Sequence, residues 1–506
     1  MAQGVLGLDI GTSGVKAAIF GADGAILASA SSGYGYETPR PGAVEQHPDT
    51  WWGAVCACAR RLTEQVAPGD IAAVGVDGQS WAAVLVDAAG ECLGPTPIWM
   101  DTQAKALCDG LDPALKAALF ACSGNPFTPG YTLPKVMLRF SQDPEARRRA
   151  RYVLQSNSYI VFRLTGRATQ DLSQGYGWHF FRPGQGDYDP ELARAVGVPL
   201  EKLPDPLPCH QVVGQITEAA ARLIGLLPGT PVVAGGLDAA CGTLGAGVIA
   251  PGQTQEQSGQ AGGMSICTDR LRFDPRLIFS PHVVPGRYLL QGGSVGGAGA
   301  LNWFARELGG FEAAAAQADG RSVFEHLSDC AAAAPLGAGG LIFLPYMAGE
   351  RSPHWDESAQ GMYFGLGYDK GRGHLVRALM EGVAYSLYDN LLAAEQAGVA
   401  AGDLICVGGA ANSAVWTQIK ADVTGHTLHV PRGDTATTLG AAMLAGVGVG
   451  YWDGFERAVA ACCHIRRTYR PDPAAHAAYG PYFALYRQLY QDNRRSMAAL
   501  RRLAQE

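Results

Sequence analysis

The run Asp9-Ile10-Gly11-Thr12-Ser13-Gly14-Val15-Lys16 holds what a polyphosphate site needs. Gly11 and Gly14 let backbone N–H groups approach an anion, and clustered N–H groups form an anion-binding nest. Thr12 and Ser13 add hydroxyl donors, and Lys16 adds a positive charge for terminal phosphates. Asp9 offers a hard carboxylate oxygen of the kind Mg2+ takes, reached through water. A plain hairpin turn would use the same glycines, so both readings stand. Two more glycine-rich loops follow apolar runs: Ser258-Gly259-Gln260-Ala261-Gly262-Gly263 and Val407-Gly408-Gly409-Ala410-Ala411-Asn412. Each is either a ligand loop or a tight crossing between elements. Asp238 follows another apolar run and lies between Gly236 and Gly242. A carboxylate there can take the proton of a hydroxyl during phosphoryl transfer to an alcohol. It can equally cap a helix.

Elements must hold these residues in place. Residues 5–10 read as a strand with Asp9 near its end, 15–20 as its return, and 25–31 as a third strand after the Asp23-Gly24 turn. Asp49 is placed to cap a helix over 50–66, with Trp52, Val55, Ala59, Leu62 and Val66 near one face. Residues 71–76 form a further strand that runs into an acid, Asp77. The later chain echoes this pattern loosely. Strands are expected over 231–236, 341–344 and 404–407, with Gly292-Gly293-Ser294 leading into a helix over 299–308. Further helices are expected over 374–395, 413–425, 438–447 and 474–503. The glycine-rich stretch 245–251 reads as a crossing between two domains.

Composition narrows the class. A chain of 506 residues exceeds one ordinary domain, and two large domains are the natural division. Hydrophobic residues at 47% and charged residues at 17% mark a well-buried globular protein. The formal charge is −7, and no basic run is longer than Arg147-Arg148-Arg149, which argues against a nucleic-acid partner. The 12 cysteines are scattered. Neither Cys56 with Cys58 nor Cys462-Cys463 beside His464 has a second half at zinc spacing, so they read as small buried hydrophobes in a reducing compartment. No apolar stretch reaches about 18 uncharged residues, and no basic leader opens the chain. The expectation is a cytoplasmic enzyme without a membrane partner.

Taken in order, the motifs resemble those of the FGGY family of carbohydrate kinases, in the actin/hexokinase/Hsp70 superfamily, and most of all its branch acting on D-xylulose. Residues 8–16 resemble the first phosphate motif. Glu45-Gln46-His47-Pro48 with Trp51-Trp52, then Trp99-Met100-Asp101, then Gly124-Asn125-Pro126 with Pro134-Lys135 resemble the next blocks. Gly235-Gly236-Leu237-Asp238 is similar to the segment bearing the catalytic Asp. Phe343-Leu344-Pro345-Tyr346, Gly349-Glu350-Arg351-Ser352-Pro353, the signature over 361–381 and Gly408-Gly409 follow collinearly.

The resemblance implies an α/β fold of two ribonuclease-H-like domains with the active site in the cleft between them. Residues 1–247 would bind sugar and phosphate, 248–470 would bind adenosine, and 471–506 would form a C-terminal helix. It implies ATP and Mg2+ as cofactors. Asp238 would be the general base and Asp9 would serve the metal. Gly11, Thr12, Ser13 and Lys16 would surround the phosphates, and Gly259 and Gln260 would face them from the second domain. Gly408, Gly409 and Asn412 would hold the adenosine. Gln79, Ser80, Trp81 and Asp101, with Asp238, would contact the sugar. The partner is a small sugar, and a homodimer is compatible with this reading.

Three departures from the D-xylulose pattern bear on the substrate. The usual Gly-Gln-Met-His is Gly78-Gln79-Ser80-Trp81 here, Ala239 follows Asp238 where an Asn is usual, and Gly259-Gln260-Ala261 replaces a Gly-Thr-Ser. D-xylulose ranks first, ahead of another ketopentose such as ribulose, a polyol such as glycerol or erythritol, and gluconate. An actin-like ATPase or a sugar sensor without transfer are the readings from other classes. The absence of a peptide-binding segment after the second lobe opposes the first, and Asp9, Lys16 and Asp238 oppose the second.

Overall fold

The computed structural model describes residues 3–433 and 435–504. Residues 1–2 and 505–506, at the ends of the expected terminal segments, lie outside it. The chain opens with β1 (Gly4–Ile10), β2 (Gly14–Phe20) and β3 (Ile26–Gly33), an antiparallel meander. Helix α1 (Pro48–Thr63) then leads to β4 (Ile71–Gly78), which lies parallel to β1. The helix cap differs from the expectation. His47 precedes Pro48, a residue suited to the first helical position, and its ring Nδ1 accepts the N–H of Asp49. The Asp49 carboxylate instead accepts hydrogen bonds from Tyr159 and Arg163, each at 2.7 Å.

After α2 (Ser156–Thr165), β5 (Val212–Gln215) and β6 (Pro231–Val233) complete a sheet ordered β5-β6-β4-β1-β2-β3. The strand expected over 231–236 is broken. Gly235 takes a left-handed φ of 79°, and the chain resumes pairing with β4 only at Gly236–Leu237 before α3 (Asp238–Gly245).

The second lobe repeats the plan. β7 (Thr254–Ser258), β8 (Gly262–Thr268), β9 (Ile278–Pro281), β10 (Tyr288–Ser294), β11 (Leu404–Val407), β12 (Leu428–Pro431) and β13 (Ile465–Tyr469) order as β9-β10-β8-β7-β11-β12-β13. β7, β8 and β10 form an antiparallel meander, and β11 joins β7 in parallel as β4 joins β1. Gly292-Gly293-Ser294 therefore ends a strand. Its helices include α4 (Arg372–Gln396), α5 (Ala414–Thr424), α6 (Ala436–Gly448) and α7 (Pro473–Leu503).

Alternation along β1 and β4 sorts their side chains. Leu6, Leu8, Ile10, Val74 and Val76 pack with Trp51, Val55 and Leu62 of α1 on one face. Gly7, Asp9, Gly75 and Asp77 fall on the other. Helix α6 lies across that second face. A Cβ at Gly7 would overlap the carbonyl oxygen of Thr438, and one at Gly75 would overlap that of Ala441. The two glycines thus let a helix from the later half of the chain seat its backbone on the first sheet. Helix α7 packs Tyr479, Phe483, Tyr486 and Tyr490 into the second-lobe core with Leu379 and Val383 of α4. Among the described residues, no helix is long and apolar enough to cross a membrane.

Candidate active site

Three carboxylates meet at the C-terminal ends of the central strands of the first sheet. Asp9 of β1 and Asp77 of β4 are register partners, and Asp77 is also in register with Gly236, two residues before Asp238. Asp77 has no exposure, and neither of its oxygens meets a donor. Its pKa is driven well above the carboxylate range, by burial first and then by the charges of Asp9 and Asp238. Asp9 is raised by burial as well, while Asp77 and Lys16 oppose that rise. Burial beside two like charges disfavours ionisation, so Asp77 is the carboxylate of the three that keeps a proton when no cation is present. The sequence marked Asp77 as a strand-end acid but assigned it no role.

Asp238 begins α3. Leu237 is the helix cap and makes no side-chain capping bond, whereas the Asp238 Oδ1 accepts the N–H of Ala239 at 2.7 Å. Burial, then the Asp9 charge, lifts its pKa to about 7. A buried chain of hydrogen bonds fixes this corner. Leu237 N–H donates to Ser173 Oγ at 2.8 Å, Ser173 Oγ donates to Asp171 Oδ1 at 2.5 Å, and Asn157 Nδ2 donates to Asp171 Oδ2 at 2.9 Å.

The loop after β1 is tied down on one side and open on the other. Gly11 N–H donates to Gly14 O, and Tyr34 OH donates to Gly11 O at 2.7 Å. Thr12 Oγ1 donates to Gln79 Oε1 at 3.3 Å and accepts from Trp99 Nε1 at 2.9 Å. Ser13 and Lys16 are exposed, and Lys16 is opposite Asp9 in the β1–β2 register. Gln79 is buried, and its Nε2 donates to Gln46 Oε1 at 2.8 Å. It therefore braces the loop and does not face open space.

Beside Asp238 stands an aromatic wall. Trp81 stacks on Tyr131 with ring centroids 4.1 Å apart and meets Tyr176 edge-on at 6.0 Å. The Asp238 charge is felt at the Tyr176 hydroxyl, where burial is the larger influence. Trp81 has a φ of 60°, a strained value for a bulky residue, and its carbonyl accepts from Lys135 Nζ at 3.0 Å. Its indole Nε1 is buried with no hydrogen-bond partner. Ser80, next to it, is partly exposed. Asp101 sits apart. Its carboxylate accepts from Val44 N, Gln103 N and Gln103 Nε2, and it lines a separate cavity of about 260 Å³ together with Arg40, Lys135 and Arg139. Tyr131 and Tyr176 carried no motif in the sequence.

In the second lobe, Gly259, Gln260, Gly409 and Asn412 line one cavity of about 440 Å³. Gly408 has a φ of 95°, and a Cβ there would come within 2.7 Å of Ser258 O, so only glycine lets the two loops touch. Phe324, 46% exposed, contributes an aromatic face to the same cavity. Beneath the loop lies a buried ion pair, Lys420 Nζ to Glu256 Oε1 at 2.7 Å, with Ser258 Oγ hydrogen-bonded to both. Strand β7 and helix α5 are thus locked under the glycines.

The profile for the N-terminal domain of the FGGY family of carbohydrate kinases matches residues 4–245, and that for its C-terminal domain matches residues 275–449. The chain belongs to the FGGY family of carbohydrate kinases. It is an ATP-dependent sugar kinase with the two-domain FGGY fold, which sets the ATPase and sensor readings aside. This FGGY kinase is 28% identical to the xylulose kinase of Bacillus subtilis over 504 residues, covering 98% of each chain. It is 27% identical to the gluconokinase of the same organism over 481 residues, covering 94% of this chain and 93% of the relative. The crystal structure of xylulose kinase from Rhodospirillum rubrum superposes with a TM-score of 0.88 at 30% identity, covering 98% of this chain and all of that one.

Proposed function

We propose that this FGGY kinase transfers the γ-phosphoryl group of ATP to a hydroxyl of D-xylulose, giving D-xylulose 5-phosphate. The observation that carries the reading is Asp238, a carboxylate with a pKa near 7 between an acid-lined cleft floor and an aromatic wall. Asp238 accepts the proton of the attacking hydroxyl while the oxygen bonds to phosphorus and ADP leaves. Trp81, backed by the buried Tyr131, offers a flat face to the C–H side of the sugar. Ser80 adds a hydroxyl beside it. The backbone of residues 11–14 and Lys16 receive the phosphates from one lobe, and Gly259 and Gln260 receive them from the other. The cavity around Gly409, Asn412 and Phe324 takes the adenosine.

The donor set suits Mg2+. Asp9 and the orphaned oxygens of Asp77 are hard ligands, and among the described residues no group of three His, Cys, Asp or Glu side chains is arranged to hold a metal ion unaided, so nucleotide and water would complete the shell. Bound Mg2+ neutralises charge on the transferring phosphoryl group.

Near-equal identity to the xylulose and gluconate enzymes leaves the sugar to be argued from charge. A sugar acid needs a cation to pair its carboxylate, and the residues placed at the sugar, Ser80, Trp81 and Asp238, supply none. A neutral ketose has no such need, and the match to the Bacillus subtilis xylulose kinase covers 98% of this chain. A coupled ADP-release assay with D-xylulose, D-ribulose, glycerol, erythritol and gluconate tests the reading. D-xylulose should give the highest kcat/KM. A tenfold advantage for another acceptor would replace the sugar and leave the kinase.

A further inference from the structure

The motif Gly349–Pro353 takes no part in the binding and proton transfer assigned above. Its Arg351 comes from the second lobe yet lies against the first. The guanidinium carbon is 6.0 Å from the centroid of the Trp99 ring, and the Trp99 indole N–H donates to Thr12 Oγ1 of the phosphate loop at 2.9 Å. A single indole therefore links the glycine loop of one lobe to an arginine of the other.

The arginine is held in place but not neutralised. Glu350 accepts from Ser294 Oγ at 2.7 Å and from the N–H groups of Val295 and Arg351 at 2.9 and 2.7 Å, which anchors the segment to the end of β10. That carboxylate is occupied with backbone and hydroxyl donors, so it does not fork the guanidinium. Arg351 Nε is buried without a partner, and among the described residues the guanidinium is in no salt bridge. A Cβ at Gly293 would lie 3.3 Å from its Cζ, so the glycine at that strand end leaves the group room. The Glu350 charge offsets only part of the cost of burying this guanidinium, and its planar fork matches phosphate oxygens.

We propose that Arg351 supplies this anion contact to the transferring phosphoryl group, closing the cleft over it from the second lobe. The proposal rests on the cleft reading above. In that arrangement the guanidinium donates to non-bridging oxygens of the γ-phosphoryl group while Asp238 removes the hydroxyl proton. The charge that builds on those oxygens then meets a fixed donor from each lobe.

Arg351→Gln and Arg351→Ala test it, alongside Asp238→Asn. Losing one such donor should lower turnover by roughly 10²–10³. Affinity for ATP, measured calorimetrically, should fall several-fold while affinity for ADP and the thermal midpoint stay within error. Added guanidinium chloride at low millimolar concentration should restore part of the turnover of Arg351→Ala. Equal losses for ATP and ADP, or no rescue by guanidinium in a variant that keeps its thermal midpoint, would mean a structural role. Should Asp238→Asn be inactive while Arg351→Gln keeps more than a third of its turnover, the arginine proposal fails and the cleft stands. Full activity in Asp238→Asn would remove the cleft reading itself.

Discussion

Asp238 illustrates how one side chain serves two demands. It takes a helix N–H, as a capping residue would, and it sits where burial and Asp9 bring its pKa to about 7. A base must be ionised to accept a proton, so kcat/KM should rise with slope near one up to about pH 7 and level above it. Asp238→Asn should lower turnover by roughly 10²–10⁴ and lose that limb. A flat profile across pH 6–8 in the wild type would contradict the role. Asp77 predicts the opposite kind of effect, on stability. Its native pKa is raised, so the folded state holds a proton that the unfolded chain releases above its ordinary pKa of about 3.9. Stability without nucleotide or metal should therefore fall as pH climbs from that value through the native pKa. Asp77→Asn should weaken this fall, and its advantage over wild type should be larger at pH 8 than at pH 5. A tenfold difference in proton affinity between the folded and unfolded states corresponds to about 1.4 kcal/mol, well within reach of urea titrations in EDTA. An advantage independent of pH would sink the protonation argument.

At the scale of elements, the contact that holds the cleft floor is α3 against α6. A Cβ at Gly440 would overlap the carbonyl oxygen of Cys241, and one at Gly245 would overlap that of Ala436. Alanine in a helix interior normally gains up to about 1 kcal/mol over glycine. Here the overlap is with backbone, which cannot rotate away, and overpacking of this kind costs about 1–3 kcal/mol. Gly440→Ala should thus lower stability on balance, read as an earlier urea midpoint with an unchanged slope. A later midpoint would show that the helices separate at little cost. The same geometry bears on the crossing segment at 245–251. Gly245 is a packing residue there, and the left-handed Gly247, with a φ of 87°, and Gly252, with a φ of 84°, carry the turns.

For the whole molecule, the groups that must meet lie on different lobes. Asp9 and Asp238 stand on the first, and the cavity around Gly409 and Asn412 belongs to the second. Phosphoryl transfer also has to exclude water, or ATP is hydrolysed instead. Small-angle scattering should show a more compact particle with D-xylulose and a non-hydrolysable ATP analogue together than with neither. Identical curves would argue that the lobes are already closed.

What the sequence determined by itself is the local grammar. The β1–β2 turn with Asp9 and Lys16, the helix over 374–395 and the strand over 404–407 follow from short-range periodicity and turn residues. The collinear order of the motifs carried the family. Tertiary structure alone decided which acids share a site. Asp9, Asp77 and Asp238 are far apart along the chain, and parallel pairing of β4 with β1 and with Gly236–Leu237 brings them together. It also decided that Gln79 braces the phosphate loop and that Asp101 ties down its own surroundings, because a polar side chain's partner depends on chains packed against it from afar. Tyr131 and Tyr176 gave no local signal, and Arg351 stood in a motif without a role, since an aromatic wall or an unpaired guanidinium is defined by neighbours contributed by distant segments.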